Sequence, residues 1–184
     1  ERRLASALEW LRRAPWEYIS VSLSSLWNTV ESVMTEPGKQ APDFMHVLRE
    51  LVEAYQAFEA CAIPHIRKQG LTPAQFDVIA TLGNTEGMTF KELGRRTLIY
   101  KTTLTSVVDR LESRGLIERV PAEIDRRSTI ARLTAAGESL FQTVFPAHSE
   151  LLRKHLEQLD DAEMQDAIRI LRRLRTAFNP DSDR

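Results

Sequence analysis

Four hydroxyl residues occupy five consecutive positions: Thr102, Thr103, Thr105 and Ser106. Lys101 precedes them and Arg110 follows one turn later. Short hydroxyl side chains let a backbone approach a partner closely, and their oxygens bond base edges or phosphate. If this run opens a helix, the helix N-terminus itself also favours phosphate. Capping needs one such hydroxyl, and four exceed that need. Slightly downstream, Asp125-Arg126-Arg127 lies between two strand-like runs, 116–120 and 128–133. An arginine at the tip of such a turn suits the negative potential of a DNA minor groove. Asp125 is expected to pair with Arg127 and stiffen the hairpin, leaving Arg126 to point outward. The plainer alternative is an exposed salt-bridged turn, worth about 0–1 kcal/mol.

Charge distribution points the same way. The whole chain of 184 residues carries a net charge of −1. Between Lys91 and Arg132, however, ten basic residues face six acidic ones. A local basic surplus where the hydroxyl run and the Arg pair lie is the footprint of a polyanion partner. A charged, solvated surface is the alternative.

The elements that must position these residues follow from periodicity and caps. The stripe Phe44, Leu48, Leu51, Tyr55, Phe58, Ala62, Ile66 keeps steps of three and four, so 43–68 reads as one long amphipathic helix, with Pro64 as a break and Gly70 as its terminator. Thr72-Pro73-Ala74-Gln75 is a capping box that starts a helix to about Asn84. Thr89-Phe90-Lys91-Glu92 opens a short helix over 90–97. The hydroxyl run begins a helix over 102–114, ended by Gly115, with Leu104, Val107, Val108 and Leu111 on its core side and Asp109 among its exposed residues. Thr134 caps a long helix that Pro146 should bend, and Asp160-Asp161-Ala162-Glu163 opens a last one with the stripe Met164, Ile168, Leu171, Leu174, Phe178. The fold class is therefore mostly α, with one β-hairpin. The terminal helices, 43–68 and 135–178, carry more apolar face than so small a central lobe covers, and a second copy of the chain would bury it.

Trp10, Trp16 and Trp27 all fall in the first 27 residues, and a polar stretch from Thr35 to Gln40 reads as a linker. Residues 1–36 thus read as a separate N-terminal helical extension and linker; with Met34 just before the linker, 1–33 is either part of the native protein or an upstream extension or fusion. The extension's Ser-rich polar side favours packing on a partner subunit over a membrane surface.

The run from Thr103 to Gly137 resembles the MarR family of bacterial transcription regulators. The likeness rests on the hydroxyl-rich helix, Asp109-Arg110-Leu111-Glu112, Arg114-Gly115-Leu116-Ile117, the wing Asp125-Arg126-Arg127-Ser128, and Leu133-Thr134-x-x-Gly137. Leu71 to Phe76 resembles the family's preceding helix, and the likeness spans 43–178. It implies a winged helix-turn-helix lobe over 71–134, flanked by dimerisation helices at 43–68 and 135–178. It also implies a homodimer on a near-palindromic operator in double-stranded DNA, with two recognition helices in successive major grooves. Lys101, Thr102, Thr103, Thr105, Ser106, Arg110, Arg126 and Arg127 are then the expected DNA contacts. Family members are usually repressors, released by a small phenolic or lipophilic ligand or by oxidation of a cysteine. The resemblance places the effector pocket between the dimerisation helices and the winged lobe, where Tyr55, Cys61, His65, Phe76, Asp77 and His148 are candidate lining residues. Tyr55 and Phe76 also suit a core. Cys61 sits near the end of the first long helix, whereas the family's single-cysteine peroxide sensors carry their thiol nearer its start.

Other classes fit poorly. One cysteine makes no internal disulfide. The four histidines are dispersed and suggest no zinc site, and the seven glycines form no phosphate loop. Neither a cofactor nor an enzyme activity is expected, no run is long enough to span a bilayer, and the expected compartment is the cytoplasm. The competing reading is a winged helix used for protein association without DNA; Arg126, Arg127 and the hydroxyl face are what that reading does not require.

Overall fold

A computed structural model describes residues 43–97, 99, 101–121 and 129–178. The tryptophan-bearing extension, and the wing turn with Asp125, Arg126 and Arg127, lie outside the described residues. In order, the elements are α1 (Asp43–Lys68), α2 (Pro73–Leu82), β1 (Met88–Thr89), α3 (Phe90–Thr97), α4 (Lys101–Ser113), β2 (Ile117–Pro121), β3 (Thr129–Leu133), α5 (Ala135–Leu156) and α6 (Asp161–Phe178). The chain divides into two compact units, Glu1–Ile63 and Pro64–Arg184.

Local chemistry sets most boundaries. Thr72 caps α2 with both halves of the capping box: its hydroxyl accepts from the Gln75 amide at 3.3 Å, and the Gln75 side chain accepts from the Thr72 amide at 3.0 Å. Thr89 Oγ1 accepts from the Glu92 amide at the start of α3. Gly115 ends α4 in the left-handed region, at φ 69°. There the Leu116 amide reaches Leu111 O at 3.0 Å and the Gly115 amide reaches Glu112 O at 2.8 Å, the pair of bonds that closes a Schellman cap. Leu111 and Leu116, the residues that pack across that cap, are both buried.

Two expectations need correction. α1 continues through Pro64 without the expected break, and α5 likewise carries Pro146 inside one uninterrupted helix. Proline removes one amide donor and leaves the carbonyl four residues back unbonded. Ala60 and Gln142, which carry those carbonyls, are exposed, so water can take the missing donor's place. The second correction is a third strand. The sheet has the order β1-β3-β2, and β1 pairs antiparallel with β3 through Met88↔Ala131 and Thr89↔Ile130. Two residues carry too little periodicity to be read as a strand in advance. α2 also ends at Leu82, two residues short of Asn84.

The core of the second unit is built from α2, α3, α4, the sheet and the start of α5. Val78, Ile79, Leu82, Leu93, Leu104, Val108, Leu111 and Ile117 are buried within it. Leu104, Val107, Val108 and Leu111 of α4 all face inward, as their spacing requires. α6 differs, for none of its residues is buried among the described residues. Ile170, Leu171 and Phe178 are exposed there, as are Phe44, Tyr55 and Phe58 on α1.

Candidate nucleic-acid interface

With its apolar side held in the core, α4 turns the opposite side to solvent. Thr105, Ser106, Asp109 and Arg110 are exposed and Thr103 is half-exposed. Lys101 and Thr102 form the first turn of the helix, and their side chains lie outside the described residues. Ser106 Oγ donates to Thr103 O at 3.0 Å, which spends its proton within the helix and leaves its lone pairs directed outward as acceptors. Arg110 has no acidic partner among the described residues, nor have Lys91 and Arg95 of the neighbouring α3.

β2 and β3 form the two arms of the hairpin, in register from Ile117↔Leu133 to Pro121↔Thr129. Arg132 Nε donates to Glu118 Oε1 at 2.8 Å across the strands. Other basic residues of the window are likewise taken up: Arg96 pairs with Glu92 at 2.7 Å, and Arg114 donates to Gly70 O at 3.2 Å. Among the described residues of the window, pairing therefore leaves Lys91 and Arg95 of α3 and Arg110 of α4 as the cations without an acidic partner.

Sequence reasoning missed Arg119. Its Nη1 donates to Glu112 Oε2 at 2.8 Å, and its Nη2 donates to Asp109 Oδ1. Its guanidinium carbon lies 5.3 Å from the centre of the Phe90 ring. Asp109 and Glu112 were legible as neighbours on one helix face. Which side of β2 meets that face was not, because it depends on how the strand docks.

The candidate effector residues separate into two groups. His65, Phe76 and His148 come together: the two histidines approach through Nδ1···Nδ1 at 3.2 Å, and Phe76 meets the His148 ring edge-on with centroids 4.6 Å apart. One of the two imidazoles supplies the bonding proton. His148 is buried; burial first, and the charge of His65 second, hold its imidazole below the ordinary value. Asp77 follows Phe76 on α2. Tyr55 is exposed on α1, where its hydroxyl donates to Glu59 at 3.0 Å; its surface position there corrects the expectation of a core residue. Cys61 lies on α1, partly buried.

Burial pushes the Asp77 carboxyl up to about 6 from 3.8. The unfolded chain ionises this group near 3.8 and the folded chain near 6, so stability present below the lower value is lost as pH rises through the higher one. Asp77→Asn is therefore expected to stabilise the fold at pH 7 by about 1 kcal/mol, after discounting the shift for partial solvent access. The gain should vanish below about pH 4. Thermal melts of both proteins across this range check it, and a neutral-pH melt that the substitution leaves unchanged would remove Asp77 as a carboxylate ionised against its burial.

An exposed hydroxyl-bearing helix, set beside a three-stranded hairpin sheet and held by a helical core, defines a winged helix-turn-helix DNA-binding protein. Comparison with known proteins agrees. A family model described as MarR family matches residues 69–128. The transcriptional regulator MhqR of Bacillus subtilis is 30% identical over 124 residues, which make up 67% of this chain and 86% of that one. A MarR family regulator from Streptomyces coelicolor, solved in complex with DNA, shares the fold with a TM-score of 0.70 over 79% of this chain and 94% of its own, at 21% identity. BpsR of Bordetella bronchiseptica, whose DNA binding is regulated by 6-hydroxynicotinic acid, aligns with a TM-score of 0.60 and 27% identity over 72% of this chain and 98% of its own. The chain belongs to the MarR family of transcriptional regulators. Among the described residues no helix is long and apolar enough to cross a membrane.

Proposed function

We propose that this protein is a homodimeric repressor that binds a near-palindromic operator and releases it on binding a small effector. The carrying observation is the exposed side of α4, where Thr105, Ser106 and Arg110 stand opposite a fully buried apolar side. In this reading α4 enters the major groove, with Lys101, Thr102, Thr103, Thr105, Ser106 and Arg110 as its contacts. Arg126 and Arg127 of the wing reach the flanking backbone or minor groove. The exposed apolar residues of α1 and α6 support pairing of two copies, which sets two reading helices on one duplex.

For the effector, the grouping of His65, Phe76 and His148 supports a small aromatic or lipophilic ligand, which an aromatic edge and an imidazole nitrogen would hold. The regulation of BpsR by 6-hydroxynicotinic acid supports the same class.

The test is selection of sites from a random duplex pool by the purified protein, at near-physiological salt. A recovered site with two-fold symmetry is the expected result. Recovery of no sequence by a folded protein would overturn the reading. With a recovered duplex in hand, Arg126→Ala should weaken binding to all DNA and lower the slope of log affinity against log salt by about one. An unchanged slope and affinity would remove the wing arginine from the mechanism. Changes at Thr103 or Ser106 should instead alter sequence preference.

A further inference from the structure

We propose that Arg119 is a positioning residue for DNA recognition: it ties α4 to the root of the wing and neutralises two carboxylates on the reading helix. The inference rests on the DNA-binding function proposed above. Asp109 and Glu112 lie three residues apart on α4, so their side chains share one face. Asp109 is exposed on the same solvent side as Thr105 and Ser106. Two uncompensated carboxylates there would repel a phosphate backbone. The guanidinium of Arg119 engages both, one nitrogen to each: Nη1 to Glu112 at 2.8 Å and Nη2 to Asp109.

The geometry does more than cancel charge. Arg119 belongs to β2, which leads two residues later to Pro121 and the wing turn. Its planar fork meets two carboxylates from one helix while its face lies over Phe90 of α3. Three elements of the lobe thus converge on one side chain. A fork with fixed donor directions restrains the angle between helix and strand in a way a single ammonium does not. Helix and wing must meet one duplex together, and a recognition surface tolerates only small errors of angle in its supports. Ion pairs this exposed add little to folding stability, so loss of Arg119 should show in DNA binding far more than in the melting temperature.

A direct role is the competing account. Arg119 also lines an open groove of about 420 Å³ with Lys91, Thr105 and Thr129, where a phosphate oxygen could reach it. A double-mutant cycle separates the two. Affinity for one duplex recovered from the random pool is measured for the wild type, Arg119→Gln, Asp109→Asn/Glu112→Gln, and all three changes together. With a positioning role, Arg119→Gln lowers affinity about tenfold in the wild-type background and changes it less than about twofold once both carboxylates are gone. An equal loss in both backgrounds means that Arg119 acts on DNA directly and overturns the proposal. Arg119→Lys keeps the charge but lacks the fork and should also lose affinity; wild-type affinity in this variant overturns the positioning role. A wild type that retains no duplex removes the DNA-binding reading, and this role with it. A wild type that binds while the cycle shows no coupling overturns this role alone.

Discussion

Gly137→Ala should lower the melting temperature by roughly 5–10 °C, from a loss of about 3 kcal/mol at the upper end of overpacking costs. The expectation runs against propensity. Gly137 lies in the first turn of α5, and within a free helix alanine would be favoured over glycine by about 1 kcal/mol. What decides the sign is a neighbouring backbone. A Cβ on Gly137 would stand 2.0 Å from the carbonyl oxygen of Leu116. That oxygen is held in place, since it accepts the Thr134 amide at 3.1 Å, and Leu116 follows the Schellman turn of α4. Thr134 adds a second tie, donating to Gly115 O at 2.6 Å while accepting from the Gly137 amide at 3.1 Å. Relief of the clash would therefore disturb the cap of α4, the end of β3 and the start of α5 together. Gly94→Ala in α3 is the control. There a Cβ finds its nearest neighbours at 3.5 and 3.6 Å, which is ordinary contact, and the helix should gain rather than lose. Differential scanning calorimetry of both variants decides it: a Gly137→Ala protein as stable as the wild type would show that the junction is free to shift.

The second large effect is expected at the apolar face of α6. Leu171→Asp should convert the proposed dimer to monomer and lower operator affinity by about 10²–10⁴-fold, because two half-sites would no longer be bound as one linked event. Leu171 is 54% exposed and Phe178 66% exposed, so neither is buried by the described residues. The apolar stripe of this 18-residue amphipathic helix is not covered by the described residues. Sedimentation velocity with the wild type and the variant checks the first half, and titration of the recovered duplex checks the second. A Leu171→Asp protein that remains dimeric with full affinity would place the interface elsewhere. Circular dichroism should meanwhile show little change.

Much of this protein was legible in its residues alone. Caps are local: Thr72 with Gln75, Thr89 with Glu92, Gly115 after a helix and Thr134 before one each act within a few residues, so the elements they bound could be placed before any fold was known. The split of α4 into a buried and an exposed side is equally local, since a period of 3.6 dictates it. The run from Thr103 to Gly137 carried the family likeness for the same reason: its hydroxyls, its Gly115 stop and its Thr134 cap are short-range requirements of a helix, a hairpin and a helix in that order.

Only the tertiary structure decided the rest, because those facts depend on residues far apart in the chain. β1 exists because β3 offers it an edge more than forty residues away. His65 and His148 meet across 83 positions. The need for glycine at position 137 comes from a carbonyl on the far side of the hairpin, at Leu116. Arg119 looked like one basic residue among ten until the docking of β2 on α4 turned it toward Asp109 and Glu112. Local periodicity determines which side of an element is apolar, whereas the meeting of two polar sides is set by the packing of the core between them.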